Sequence, residues 1–172
     1  MAVADVYTLG LAKIEIGDIG TDGGMGLSLT VWGQTLKGTC NVTQEDPETQ
    51  DFYAEELDDP VVSISKRGKT TAAFSVMNPD VNALQKFFGG TVTGTGATAK
   101  WKAPKQLPII EKSVKITPQM GLVWEFPRMK INAKINGSFS RENIFVIEVS
   151  GVALQPSKVD EAIYNAYPVV VA

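Results

Sequence analysis

A mainly-β domain of sandwich or barrel-like architecture is what this sequence predicts, and three observations predict it. Apolar residues recur with a period of two through much of the chain, most clearly where Met129, Ile131, Ala133 and Ile135 alternate with Lys130, Asn132, Lys134 and Asn136. Gly, Pro and Asn punctuate these runs at intervals too short for helices. A composition of 44% hydrophobic and 20% charged residues over 172 positions suits a single domain with one buried core. Without an internal repeat or a dividing linker, residues 1–172 read as one unit, with 1–10 as an N-terminal arm and 155–172 as a C-terminal extension.

Taken in order, Leu11–Ile16 alternates as a first strand, and the five glycines of residues 17–26 form a tight or mobile loop. Leu27–Trp32 is a strand with Leu27, Leu29 and Val31 on one face, and residues 36–43 are its return or continuation. Residues 45–59 lack any strand period, contain Pro47 and end at Asp59-Pro60. They read as a long acidic loop, with a short strand around Phe52–Leu57. Residues 61–66 and 69–77 flank Arg67-Gly68-Lys69 as a hairpin that sets Val62 and Ile64 against Ala72, Phe74 and Val76.

The period then changes. Asn78-Pro79 caps and opens a short helix over about residues 79–88. Val81, Leu84 and Phe88 form its sheet-facing stripe, and Gly89-Gly90 terminates it. Strands resume at 91–94 and 98–102, followed by a Pro-rich connector over 103–111. Further strands follow at 112–117, 121–126 after a turn at Pro118-Gln119, 129–136, and 143–154, the last apolar on both faces around Ile144–Val149. Residues 158–167 read as a short helix and 168–172 as a terminal extension. The total is about ten strands and one firm flanking helix.

Charge is unevenly placed. The net charge is −3, yet residues 45–59 hold eight of the nineteen acids and no base, leaving eleven acids against sixteen bases, or +5, elsewhere. The eight are Glu45, Asp46, Glu48, Asp51, Glu55, Glu56, Asp58 and Asp59, interleaved with Phe52, Tyr53 and Leu57, which a permanently solvated loop would be expected to cover. A loop ordered by a neighbouring subunit satisfies both features, and the basic remainder supplies a complementary surface.

Several chemistries are excluded or unsupported. With no histidine there is no imidazole base or ligand, and Cys40 alone forms neither an internal disulfide nor a Cys-based zinc site. The glycine-rich stretch lacks the G-K-[ST] ending of a phosphate loop, and Asp18 and Asp22 lack calcium-loop spacing. Lys66, Arg67 and Lys69, and likewise Lys100, Lys102 and Lys105, are too sparse for a nucleic-acid reader. No nucleophile motif, cofactor site or metal site is expected, and an enzyme is not. No apolar run spans a membrane, and MAVADVYTLG lacks the pattern of a signal peptide, which points to the cytoplasm.

The stretch KTTAAFSVMNPDVNALQKFFGGTVTG, Lys69–Gly94, resembles the strand, cap, short helix, Gly-Gly and strand of the major tail tube proteins of long-tailed phages. That family is related in fold to contractile-system inner tubes. The opening Gly10–Gly24, with LAKIEIG and a glycine-rich turn, is similar to the family's start. The resemblance implies a virion structural protein, of phage or prophage, assembled in the bacterial host cytoplasm. Its copies would form hexameric rings stacking into a tube for DNA ejection, with no catalytic residue or cofactor. It implies partners among further copies and tape-measure, tail-terminator and baseplate or tip proteins, and a neighbouring ring as the seat of residues 45–59. Thr71, Ser75, Asn132 and Asn136 are the candidates for a polar channel wall, with Lys130 and Lys134 weighing against it. The alternatives are the inner tube of a contractile tail or secretion apparatus, a monomeric β-sandwich binding or adhesion module, and a remote carboxylate hydrolase.

Overall fold

The computed structural model describes residues 5–170, and the outer parts of the two predicted tails, 1–4 and 171–172, lie outside them. Twelve strands and one α-helix follow in the order β1 (Leu9–Gly17), β2 (Leu29–Val31), β3 (Asn41–Gln44), β4 (Glu48–Tyr53), β5 (Pro60–Lys66), β6 (Thr70–Val76), α1 (Val81–Phe88), β7 (Thr91–Thr93), β8 (Lys100–Lys102), β9 (Ile110–Met120), β10 (Leu122–Asn136), β11 (Val146–Ala153) and β12 (Asn165–Pro168). The main sheet runs β2-β1-β9-β10-β11-β6-β3, antiparallel throughout, while β12 pairs with the first residues of β10. The architecture is mainly β and sandwich-like, as the alternation predicts.

The centre is β10, fifteen residues long. Sequence reading divides this stretch at Pro127 into two strands. The structure keeps it whole and absorbs the proline in a register shift between Phe126 and Met129. A proline has no N–H to give the ladder, so it is tolerated at such an irregularity. The buried Ser113 ties down the kink, its hydroxyl donating to the Pro127 carbonyl at 2.6 Å and accepting the Gly26 N–H at 2.9 Å. β10 keeps β9 along one edge on both sides of the kink, while its other edge pairs with β12 before it and with β11 after it.

Both parts of the sheet feed one core. Ile14, Ile16, Val114, Ile116 and Phe126 come from the first part, and Ala72, Phe74, Val76, Met129, Ile131, Ile147 and Val149 from the second. Many of them alternate along their strands with outward residues such as Glu15, Lys115, Lys130, Asn132 and Glu148, which is the period-two pattern expected of a half-buried strand.

The helix departs from expectation in cap and face. Asp80, not Asn78, is the N-cap, its carboxylate accepting the Ala83 N–H at 2.6 Å, while the Asn78 side chain accepts the Gln34 N–H at 2.5 Å. The buried positions are Ala83 and Phe87; Leu84 and Phe88 pack partly buried beside them, and Val81 is only half-buried. Phe87 meets Trp32 edge-to-face at 5.1 Å between ring centroids, anchoring the helix to the core. At Gly89 the chain turns to φ +74°, its N–H bonding the Gln85 carbonyl at 2.8 Å, and Gly90 follows at φ +87°. Only glycine enters this region cheaply, so the helix stops there.

Other expectations are corrected by pairing. The predicted strand Leu27–Trp32 shortens to β2: Leu27 is 99% exposed and precedes it, Leu29 is half-buried, Val31 faces solvent, and the buried Trp32 follows it. Pro118-Gln119 is not a turn: β9 continues to Met120 and reverses at Gly121, φ +104°. Residues 158–167 are not helical; a short turn leads to β12, whose four residues bond to Leu122–Glu125. In β11 Ile147 and Val149 face inward, and the outward face mixes half-buried Val146 and Val152 with Glu148 and Ser150. Ile144 and Phe145, which add to the two-faced apolarity of the sequence, precede the strand.

The helix assignment has a direct consequence. Phe87→Ala should cost about 3–5 kcal/mol as a core truncation and Asp80→Ala about 1 kcal/mol as a lost cap. Val81→Ala should cost no more than about 1 kcal/mol, as for a partly exposed site. Urea unfolding of the three variants checks the order, and a Val81 effect equal to that of Phe87 would contradict it.

Candidate functional site: an exposed ribbon and a polar sheet face

The acidic segment is not one long loop. Glu48–Tyr53 forms β4 and pairs with β5, leaving only residues 54–59 as the connecting tip. Nor does β5 fold back on β6 as a hairpin around Gly68. β6 already has β11 on one edge and β3 on the other, so no edge remains for β5. Instead β3 and β4 run nearly in line against β5 and β6. Gln44 lies opposite Thr70, the Glu45 N–H bonds the Lys69 carbonyl at 2.9 Å, and Glu48 lies opposite Lys66. The result is one long ribbon from Asn41 to Ala73. Its root belongs to the sheet and its distal half stands out as an arm of about 20 Å, at roughly 3.4 Å per residue.

Every residue of β4 and β5 is exposed. The register separates two unlike faces. On one, Asp51 accepts the Ser63 hydroxyl at 2.5 Å and Thr49 meets Ser65 at 3.4 Å. On the other, Phe52 opposes Val62 and Gln50 opposes Ile64. Phe52, Val62 and Ile64 are 47%, 49% and 56% exposed, so each leaves about 1 kcal/mol of apolar burial unrealised. At the tip the Leu57 N–H bonds the Ala54 carbonyl at 3.1 Å, with Leu57 itself exposed among Glu55, Glu56, Asp58 and Asp59. Glu45, Asp46, Glu48, Asp51 and the tip acids make no ion pair among the described residues. A two-stranded ribbon is marginal in water by itself, and this arm has both an uncovered apolar face and a charge set without ion-pair partners among the described residues.

Sequence reading found Phe52, Tyr53, Leu57 and the eight acids as contact candidates but missed Val62 and Ile64, which it set against Ala72, Phe74 and Val76 in a hairpin. The signal was in the pairing: Phe52 can share a face with Val62 only if residues 48–53 are a strand.

The second feature is the outward face of β10, β11, β6 and β3. Register places Asn132, Ser150, Ala73 and Asn41 in one row across these strands, and Lys134, Glu148 and Ser75 in the next. Thr71 pairs with Thr43, their hydroxyls 2.9 Å apart. Thus Thr71, Ser75, Asn132 and Asn136 share one face, although Ser75 is buried, with its N–H bonded to the Thr39 hydroxyl. The face is close to neutral by pairing: Lys134 meets Glu148 at 2.9 Å and Arg128 meets Glu111 at 2.8 Å, while Lys130 has no ion pair among the described residues. The Asn136 amide, which donates to Glu148, and then Lys134 hold the Glu148 carboxyl below the usual carboxylate range.

Elsewhere, a cleft of about 840 Å³ opens between the two parts of the sheet, lined by Leu11, Leu36, Lys37, Cys40 and Trp124 among others. Burial pushes the Cys40 thiol up, which keeps it protonated at neutral pH. Asp18 and Asp22 do not converge; they pair with Lys112 at 2.5 Å and Lys158 at 2.8 Å. Among the described residues no three acid or cysteine side chains gather to hold a metal ion, and no helix is long and apolar enough to cross a membrane. No family model matches this sequence, and no curated protein matches it.

Two outcomes follow. In dilute protein, the triple variant F52S/V62T/I64T should lower the unfolding free energy by no more than about 3 kcal/mol in total, about 1 kcal/mol for the buried half of each side chain; a loss of about 2–5 kcal/mol at each site would place them in a core. Glu148 should titrate below an ordinary glutamate by NMR, and Asn136→Ala should bring it back up. Because its folded value is lowered, the stability it contributes is present above the unfolded value and is lost as pH falls through the folded one.

Proposed function

We propose that this chain is a self-assembling structural subunit of a phage tail tube. In this reading, copies form hexameric rings that stack into a hollow tube through which DNA passes from capsid to host. The observation that carries it is the β4–β5 arm, which projects an apolar face and six acids that neither burial nor an ion pair covers among the described residues. Covering that face with a neighbouring copy recovers the burial and orders the ribbon at once.

The sheet supports the same reading. Short edge strands β2 and β3 each leave one edge open to a neighbouring sheet. The outward face of β10, β11, β6 and β3 offers a wall suited to passing DNA, because its lysine and arginine charges are largely taken up by Glu148 and Glu111. Phosphates bind a free basic surface through counterion release and slide past a neutralised one. Thr71, Asn132 and Asn136 are the wall residues in this proposal, and Lys130 is its one unpaired cation among the described residues. Tape-measure, terminator and tip proteins would meet the ends of such a tube, in the virion tail and, before that, in the host cytoplasm.

Light scattering across concentration and negative-stain microscopy test the assignment. Rings or tubes of uniform width should form as the protein is concentrated, and F52S/V62T/I64T should stay monomeric at concentrations where the parent protein assembles. Monodisperse monomers at every concentration would overturn it.

A further inference from the structure

The arm needs a seat, and the molecule carries one surface that complements it in both shape of chemistry and sign. Helix α1, the β7–β8 hairpin and the connector to β9 pack as a unit. Trp101 lies 5.9 Å from Phe88 between ring centroids and donates its indole N–H to the Gly89 carbonyl at 2.9 Å. Pro108 rests against Gly89, where a side chain would have no room, so the connector is held against the helix end. With Trp101 turned to the helix, Lys100 and Lys102 on either side of it point to solvent. Lys105 is exposed just beyond, and the residues flanking the anchored Pro108, Leu107 and Ile109, are 79% and 75% exposed. Lys100, Lys102 and Lys105 make no ion pair among the described residues. The surface is therefore a shelf of two exposed aliphatic side chains edged by three free lysines.

We propose that the apolar face of the β4–β5 arm seats on this shelf of a second copy, Phe52, Val62 and Ile64 covering Leu107 and Ile109 while the acids of residues 55–59 face Lys100, Lys102 and Lys105. The inference rests on the self-assembly reading and names its contact. Charge complementarity selects this seat over the larger cleft, which offers the tip only Lys37 among its lining residues. The rim charges contribute little affinity singly, but they fix register and reject like-charged surfaces. Arm and shelf are different surfaces, so the contact is head-to-tail. Each copy that docks its arm still presents a free shelf, and the chain of contacts closes into a ring or continues as a filament instead of stopping at a dimer.

Zero-length carbodiimide cross-linking of an equal mixture of ¹⁴N- and ¹⁵N-labelled full-length protein, read by mass spectrometry, tests the contact. Isotopically mixed peptides should join residues 55–59 to Lys100, Lys102 or Lys105. The variant K100E/K102E/K105E, which alters exposed side chains and should keep its circular dichroism spectrum, should associate at least about tenfold more weakly, and adding E55K/E56K/D58K/D59K in the same chain should restore association. If the parent protein assembles but its tip links to Lys37 or to other lysines, or if the lysine reversal leaves assembly unchanged, or if the combined variant stays dispersed, the shelf is wrong and the assembly reading stands. If the parent protein never assembles, both fall.

Discussion

Strand β10 belongs to both parts of the sheet, and the arrangement of every other strand depends on how it passes Pro127. An uninterrupted ladder there would run into a residue with no N–H to give. The register shift between Phe126 and Met129 avoids that, and Ser113 satisfies the Pro127 carbonyl and the Gly26 N–H from one buried hydroxyl. Such a group is costly to leave unpaired, so the kink is specified and not merely tolerated. With it, β10 offers one edge to β9 and divides the other between β12 and β11. β11 then takes β6, and β6 takes β3.

That order leaves β5 without a place in the sheet. β6 is internal, and the chain leaving β3 and the chain approaching β6 can only pair with each other and extend outward. The arm is thus a consequence of topology, while its composition decides what it is for. A solvent-facing ribbon made only of Thr, Ser and Lys would be a blunt edge device. This one places Phe52, Val62 and Ile64 on one side and concentrates acid at its tip. The same chain, on the far side of α1, sets exposed Leu107 and Ile109 beside three lysines without ion pairs among the described residues. Two such surfaces on one molecule cannot satisfy each other if they are held apart, but they can do so between copies.

Much of this was legible in the sequence where burial writes a period. β9, the later part of β10 and the inner face of β11 show strict alternation because one face meets the core and the other meets water. The helix was legible in position and in its Gly-Gly end, yet its buried face was misjudged. Phe87 and Phe88 lie about 100° apart on the helix, and only the position of Trp32 decides which one enters the core. β4 was illegible for the opposite reason: with both faces in water, ETQDFY carries no alternation to detect. The pairing of β5 was misread because Val62 and Ile64 fit in phase with β6 as readily as with β4, and only the occupied edges of β6 distinguish the two. The acidic segment was recognised as needing cover from Phe52, Tyr53 and Leu57, but its shape as a ribbon, and the shelf that complements it, required the tertiary arrangement.

The central claim is that the arm is uncovered in the single chain and covered by another copy. Amide hydrogen exchange as a function of protein concentration addresses it most directly, because the observable belongs to the arm's own backbone. The account predicts fast exchange across Glu48–Lys66 in dilute protein and strong slowing there on concentration, with the amides of β9 and β10 protected throughout. Exchange in the arm that stays equally fast at every concentration, or that is already slow in the dilute monomer, would contradict it.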